Sequence, residues 1–363
     1  MSSKTVTLLV IAMVAAVALP AVLQDASADA SDHYKSQLDG NGQGIYEAMA
    51  AAFTAAEESP GDEVQVQYTA SMPVLFTTAD SLEEYVKSLV RNTLAAYYLS
   101  DPSPIWLWNY PLVDDLSADI GLTFTYRTVT FDGASWITLT SVSFTLTVPD
   151  AYKDDTSTET NEVADAIAAV KAAAEAVTVS EGTIQDKVSS INDALRAKTV
   201  TTDAEGTVGN IYDALVTGTS SSAGIAAAFT YLCSLHGVTA VTAVGDVQGT
   251  DGTSTGYWNE VKEDDAWFAV DCTWNTDTAR NCLMVGTTST VTFNSTSYGF
   301  GATHYVDLTG LSDTLVDPDL SSEGVSWPDD STFVDKYGGY IILALIVIVI
   351  AVAFFHAIRT GVA

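Results

Sequence analysis

Side chains able to do covalent or acid–base chemistry are scarce in this 363-residue chain, which has four histidines and three cysteines. The cysteines are Cys233, Cys272 and Cys282, and the histidines are His33, His236, His304 and His356. Cys272 and Cys282 flank the turn-rich stretch TWNTDTARN and could face each other across a hairpin, but spacing alone does not establish disulfide geometry. Cys233, among Leu232, Leu235 and Val238, reads as an ordinary buried thiol. The acid pairs Asp154-Asp155, Asp264-Asp265 and Asp329-Asp330 lack the alternating ligands of a calcium loop. No phosphate cradle or dinucleotide fingerprint occurs. Neither a metal nor a cofactor is expected. Residues 246–256 (DVQGTDGTSTG) read as a glycine-rich loop.

Three blocks carry a stronger pattern: GTSSSAGIAAAFTYLCSLHGV from Gly218, STGYWNEV from Ser254, and AWFAVDCTWN from Ala266. They resemble the transglutaminase-like superfamily, whose blocks read G-x-C-x-G-Y-A-x-A-F-x-x-L, G-H-A-W-N-x-V and W-x-x-V-D-x-T-W. Matching Gly224, Ala226, Ala228, Phe229 and Leu232 puts Ser222 where the family has its cysteine. Matching Trp258, Asn259 and Val261 puts Gly256 where it has its histidine, and Asp271 stands as the family would have it.

The resemblance implies an α+β fold with a papain-like core and the nucleophile at the N-terminus of a buried helix. There the helix dipole and a nearby imidazolium hold a thiolate. The imidazole shuttles protons and the carboxylate orients it. By that implication this chain keeps the scaffold and lacks two of the three groups. A serine hydroxyl needs an adjacent base more than a thiol does, and Gly256 supplies none. Cys233 lies eleven residues along the same helix, about 16 Å away by helical rise, and His236 lies farther still. That leaves His304, in GATHYVDL, as the candidate substitute base of a Ser222, His304, Asp271 arrangement. Such arrangements are recognised by geometry and not by chain order. Without an imidazole, Asp271 is expected to bond Thr273, Trp258 or a backbone amide.

The elements that must position these residues can be read from periodicity. Ile45 to Glu58 and Ser81 to Leu99 repeat apolar residues at three- and four-residue steps, as helices do, and Ser81 with Glu84 reads as a capping box. Gly121 to Phe131 and Ser135 to Val148 alternate around Asp132-Gly133, a hairpin signal. Asn161 to Ala176 and Thr183 to Ala197 read as further helices. The prolines of SDPSPIWLWNYP break the second helix and present Trp106 and Trp108. These two, with Trp258, are the candidate aromatic contacts of a groove. Residues 29–44 read as a flexible start.

Both ends are apolar. Lys4, the run from Val6 to Leu23 and Ala26-Ser27-Ala28 read as a signal peptide over 1–28. Tyr340 to Ile358 is long and apolar enough for a transmembrane helix, with Arg359 placing the tail 359–363 in the cytoplasm. Between them we expect a helix and hairpin region at 29–150, a transglutaminase-like domain at 151–310 and a stalk at 311–339. With 46 acidic against 14 basic side chains, the net charge of −32 excludes nucleic acid as a partner. Asn294-Ser295-Thr296 is a glycosylation sequon consistent with an exterior location. These features together describe a single-pass cell-membrane protein with its bulk outside. Its expected role is that of a pseudoenzyme binding an extracellular peptide, protein or envelope polymer, or serving envelope structure. The alternative is an atypical hydrolase or acyltransferase using Ser222 with His304 and Asp271.

Overall fold

The computed structural model describes residues 33–101, 105–107, 116–153, 162–202, 209–249, 252–275, 281–293 and 295–327. The expected signal peptide, transmembrane span and cytoplasmic tail, Trp108 and the Asn294 sequon lie outside them. The architecture is mixed α+β, and the described residues up to Val325 belong to one compact unit.

Helix α1 (Gly40–Glu58) starts before the expected Ile45 because the Asp39 carboxylate accepts from the Gly42 amide at 2.8 Å, a side-chain N-cap. Helix α2 (Ala79–Ser100) is likewise capped three residues earlier than read. Thr78, not Ser81, is the N-cap, and its hydroxyl accepts from the Ser81 amide. Residues 33–44 are not a free start: Tyr34 and Asn41 are buried, and the Asn41 amide bonds the Met72 carbonyl at 3.0 Å.

The first sheet pairs β1 (Glu63–Thr69) and β2 (Leu75–Phe76) with one edge of β4 (Ala134–Thr147), and β3 (Thr123–Phe131) with the other. The β3–β4 turn places Asp132 and Gly133 at φ 50° and 76°, the left-handed pair that suits the twist of a hairpin. The strand β1, EVQVQYT, was not expected from the sequence; its Val64 and Val66 are buried between exposed neighbours.

Helices α3 (Glu162–Glu175) and α4 (Ile184–Lys198) follow, α4 opening with a reciprocal cap between Thr183 and Asp186. The short parallel pair β5 (Val200–Thr201) and β6 (Thr219–Ser220) leads into α5 (Ser222–Leu235).

The second sheet is antiparallel, in the order β10 (Leu283–Val285), β9 (Ala266–Val270), β8 (Gly252–Glu263), β7 (Ala240–Gly249) and β13 (His304–Val306). The glycine-rich segment 246–256 is not a loop over a cleft. It is the tip of the β7–β8 hairpin, with Asp246 opposite Thr255 and Gly249 opposite Gly252. A small hairpin, β11 (Thr290–Phe293) and β12 (Thr296–Gly299), precedes β13.

Side chains alternate between the two faces of this sheet. Thr242 and Asn259, opposite one another, turn toward α5: the Asn259 amide donates to Ala226 O and Thr230 Oγ1, both at 2.9 Å. Val244 and Tyr257 share that face and join the core around α2. Ala243 and Trp258 point the other way, into a second cluster with Val247, Trp274, Val291 and Phe300.

The boundary expected near residue 150 does not separate two cores. Residues from Tyr34 to Ala166 share one apolar cluster with Val241, Val244, Leu308, Leu311 and Leu315. Those three leucines also correct the stalk. Residues 308–325 form a strap packed on the domain, with Ser312 bonded to Asn92, Ser321 N bonded to Trp267 O, and Val325 N bonded to Met284 O. A linker that buries leucines every three or four residues is folded, not a spacer.

Candidate active site

Asp271 leaves the end of β9 and is almost fully buried. One carboxylate oxygen, Oδ1, accepts from Thr273 N at 2.7 Å, Thr273 Oγ1 at 2.6 Å and Trp274 N at 3.2 Å. This local turn, expected of a carboxylate without an imidazole, accounts for half of the group. The other oxygen, Oδ2, lies 3.2 Å from His304 Nε2. The structure therefore forms a His–Asp pair although the motif histidine is glycine.

His304 reaches Asp271 because β13 lies on β7, with His304 opposite Val247 on the face that carries Trp258. Gly256 lies on that face too, opposite Gly245. A Cβ at Gly256 would sit 2.3 Å from Val247 Cγ2. The volume a side chain at 256 would need is taken by Val247, and the imidazole arrives from the neighbouring strand.

The His304 side chain is completely enclosed. Phe300 stacks on it at 4.1 Å, and Trp274 and Trp258 meet it edge-on at 4.8 and 5.2 Å. The other ring nitrogen, Nδ1, lies 3.0 Å from Thr303 Oγ1, a hydroxyl that also donates to Phe300 O at 3.0 Å. Both ring nitrogens thus have protein partners. Sequence reasoning anticipated the His304–Asp271 pair but not Thr303, whose hydroxyl takes the nitrogen a nucleophile would need.

Ser222 is the first residue of α5, behind the N-cap Ser221, and is partly exposed. Its helix packs on the opposite face of the sheet from His304, and among the described residues no hydrogen bond joins Ser222 to a histidine. The structure brings together His304 and Asp271, and among the described residues no hydrogen bond ties Ser222 to either.

The expected aromatic contacts are core residues. Trp106 is buried, donates its indole N–H to Gly61 O at 3.0 Å and stacks on Phe53. Trp258 is buried against His304. Cys233, Cys272 and Cys282 are buried free thiols, and burial pushes all three well above the usual thiol range. Among the described residues no cluster of three or more His, Cys, Asp or Glu could hold a metal, and no helix is long and apolar enough to cross a membrane.

An open cavity of about 210 Å³ does lie beside the first turn of α5. Leu195, Arg196, Thr201, Ile225, Cys272 and Thr273 are among its walls. Thr273 links it to the site, since the same residue bonds Asp271.

The family model of the transglutaminase-like superfamily matches residues 171–272, from within α3 through α4, α5 and β7–β9 to Asp271 and Cys272. Residues 171–272 are transglutaminase-like. No curated protein matches the chain. Among solved structures, a protein titled as a TGase is 17% identical, with a TM-score of 0.26 over 42% of this chain and 45% of its own. A candidate cysteine protease from Cytophaga hutchinsonii is 12% identical, with a TM-score of 0.26 over 46% of this chain and 66% of its own. A candidate protease from Parabacteroides distasonis is 16% identical, with a TM-score of 0.22 over 50% of this chain and 41% of its own. The chain spans less than two thirds of the length of each of these proteins.

Proposed function

We propose that this protein is a non-catalytic transglutaminase-like module, anchored by its C-terminal apolar segment and displayed outside the cell, where it binds an extended peptide or envelope polymer. The observation that carries the absence of catalysis is the saturation of His304. One nitrogen faces Asp271 at 3.2 Å, the other faces Thr303 at 3.0 Å, and the ring is sealed by Phe300, Trp258 and Trp274. A general base must reach the proton it takes, directly or through one water. The cavity beside Ile225 and Thr273 is the surface this reading assigns to a ligand. Membrane anchoring rests on the apolar run from Tyr340 to Ile358, and display outside on the leader-like start.

The second reading, a Ser222-dependent hydrolase or acyltransferase, is favoured by one observation, the His304–Asp271 pair itself. The two readings part on amine incorporation into, and hydrolysis of, a glutamine-containing peptide by the wild-type ectodomain and its Ser222→Ala variant. Equal, background-level rates are expected. Wild-type turnover that disappears in Ser222→Ala, with an unchanged circular dichroism spectrum, would overturn the non-catalytic reading.

A further inference from the structure

Two residues along β8 from Trp258 lies Glu260, fully buried on the same face. No donor meets either of its carboxylate oxygens in good hydrogen-bond geometry, and Trp258 Nε1 and Asp317 Oδ2 are likewise unmet, although the Trp258 and Asp317 side chains both approach the Glu260 carboxyl closely enough to interact with it. These atoms belong to one cluster. Asp317 of the strap acts directly on Glu260, and the other Asp317 oxygen accepts from the Tyr34 hydroxyl. Burying one unpaired carboxylate is costly, and burying two side by side without a cation is costlier still. Two indole or phenol donors can satisfy a single negative charge, not two.

We propose that Glu260 and Asp317 share one proton, that this proton latches the 308–325 strap onto the domain, and that the strap loosens as pH rises. Burial and then the Asp317 carboxylate push Glu260 well above the usual carboxylate range, and burial pushes Asp317 up to about 7 against the lowering effect of its contacts with Tyr34 and Glu260. A carboxyl whose folded-state affinity for protons exceeds its unfolded one stabilises the fold at low pH, and that contribution fades as pH climbs through its raised value. Burial and the adjacent Asp317 likewise push the Tyr34 phenol up, so it stays a donor throughout.

The groups facing the pair are Tyr34 and His33 on the N-terminal turn and Asp319 on the strap. His33 Nε2 lies 3.0 Å from Val316 O, and Gln37 clamps Val316 from both sides, donating to its carbonyl at 2.9 Å and accepting from its amide at 2.8 Å. On the far side of Trp258 is the sealed imidazole of His304. From the strap, Leu320 packs against the cluster that holds Trp258, Trp274 and Phe300.

The test is amide hydrogen exchange on the full chain in detergent, from about pH 5 to pH 9, with rates corrected for the intrinsic pH dependence of exchange. Peptides covering 308–325 and 33–38 should lose protection as pH rises, while those of β7–β9 do not. In Glu260→Gln and in Asp317→Asn, which cannot ionise, the strap should stay protected across the range. His33→Ala should keep the wild-type pH response. Wild-type strap protection that follows β7–β9 at every pH would overturn the proposal without recourse to a variant. So would a response abolished by His33→Ala, or strap protection restored at pH 9 by calcium or sodium, which would make the pair a cation site.

Discussion

The two faces of the five-stranded sheet treat the same three sequence blocks differently. On the helix-covered face, Asn259, Thr230 and Thr242 form a buried network joining β8, α5 and β7. Of these, Asn259 stands at a motif position, and its amide alone donates to both Ala226 O and Thr230 Oγ1. On the opposite face the blocks supply Gly256 and Asp271, and the imidazole comes from outside them, on β13. The helix-covered face shows what the scaffold requires, the other what it tolerates. Gly256 leaves volume that Val247 fills, and Asp271 presents a carboxylate that His304 meets.

Substitutions can weigh the two faces against each other. The largest effect is expected for Trp258→Ala, which removes a buried indole from the wall around His304. It should cost about 3–5 kcal/mol in urea denaturation. A loss below 1 kcal/mol would mean that the imidazole does not need its enclosure. Next comes Asn259→Leu on the helix-covered face. It deprives Thr230 Oγ1 and Ala226 O of a donor and should cost about 1–3 kcal/mol by the same measurement. If it were neutral, the helix would not be pinned through this amide.

Gly256→His asks whether the motif histidine can return. Val247 Cγ2 would lie 2.3 Å from the new Cβ, so the single variant should lose about 1–3 kcal/mol. In a double-mutant cycle with Val247→Ala, about 1 kcal/mol of that loss should be recovered as coupling. No coupling would show that the exclusion comes from elsewhere. Smallest of all is Ser222→Ala, expected within about 0.5 kcal/mol of wild type. The His304 ring resonances in NMR should not shift in it, because Thr303, not Ser222, is their partner. A shift would place the serine hydroxyl against the imidazole and remove the contrast between the faces.

Much of this was legible in the residues. The helical periodicities of α1 to α4 and the Asp132-Gly133 hairpin follow from local chemistry, and the blocks around Gly224, Trp258 and Asp271, which also imply α5, point to the family that the match over residues 171–272 supports. What was not legible depended on partners distant in sequence. The strap reads as an acidic linker because Leu308, Leu311 and Leu315 find their core partners in the first half of the chain, and Ser312 bonds Asn92, 220 positions away. Segment 246–256 reads as a loop because its glycines and aspartates carry little strand signal, yet β7 and β8 pair through it on both sides of the tip. Thr303 escaped notice because a hydroxyl next to a histidine has no pattern of its own; only the fold decides whether it turns back onto the ring.

The clamp between Gln37 and Val316 also sets how this molecule would carry load. A pull on the chain beyond residue 325 first meets the Val325–Met284 bond and then those of Ser322, Ser321 and Leu320 to the 287–288 segment and Trp267. Only when these have peeled does tension reach Val316 and, through Gln37, the N-terminal turn. The segment from 308 to 325 would then extend by up to about 3.3–3.6 Å per residue. Force arriving from beyond the strap thus meets the sheet that carries His304 first, at its β10 and β9 strands, and reaches the N-terminal turn only afterwards, an order of failure that a single-molecule extension trace would record as small early steps ahead of one large one.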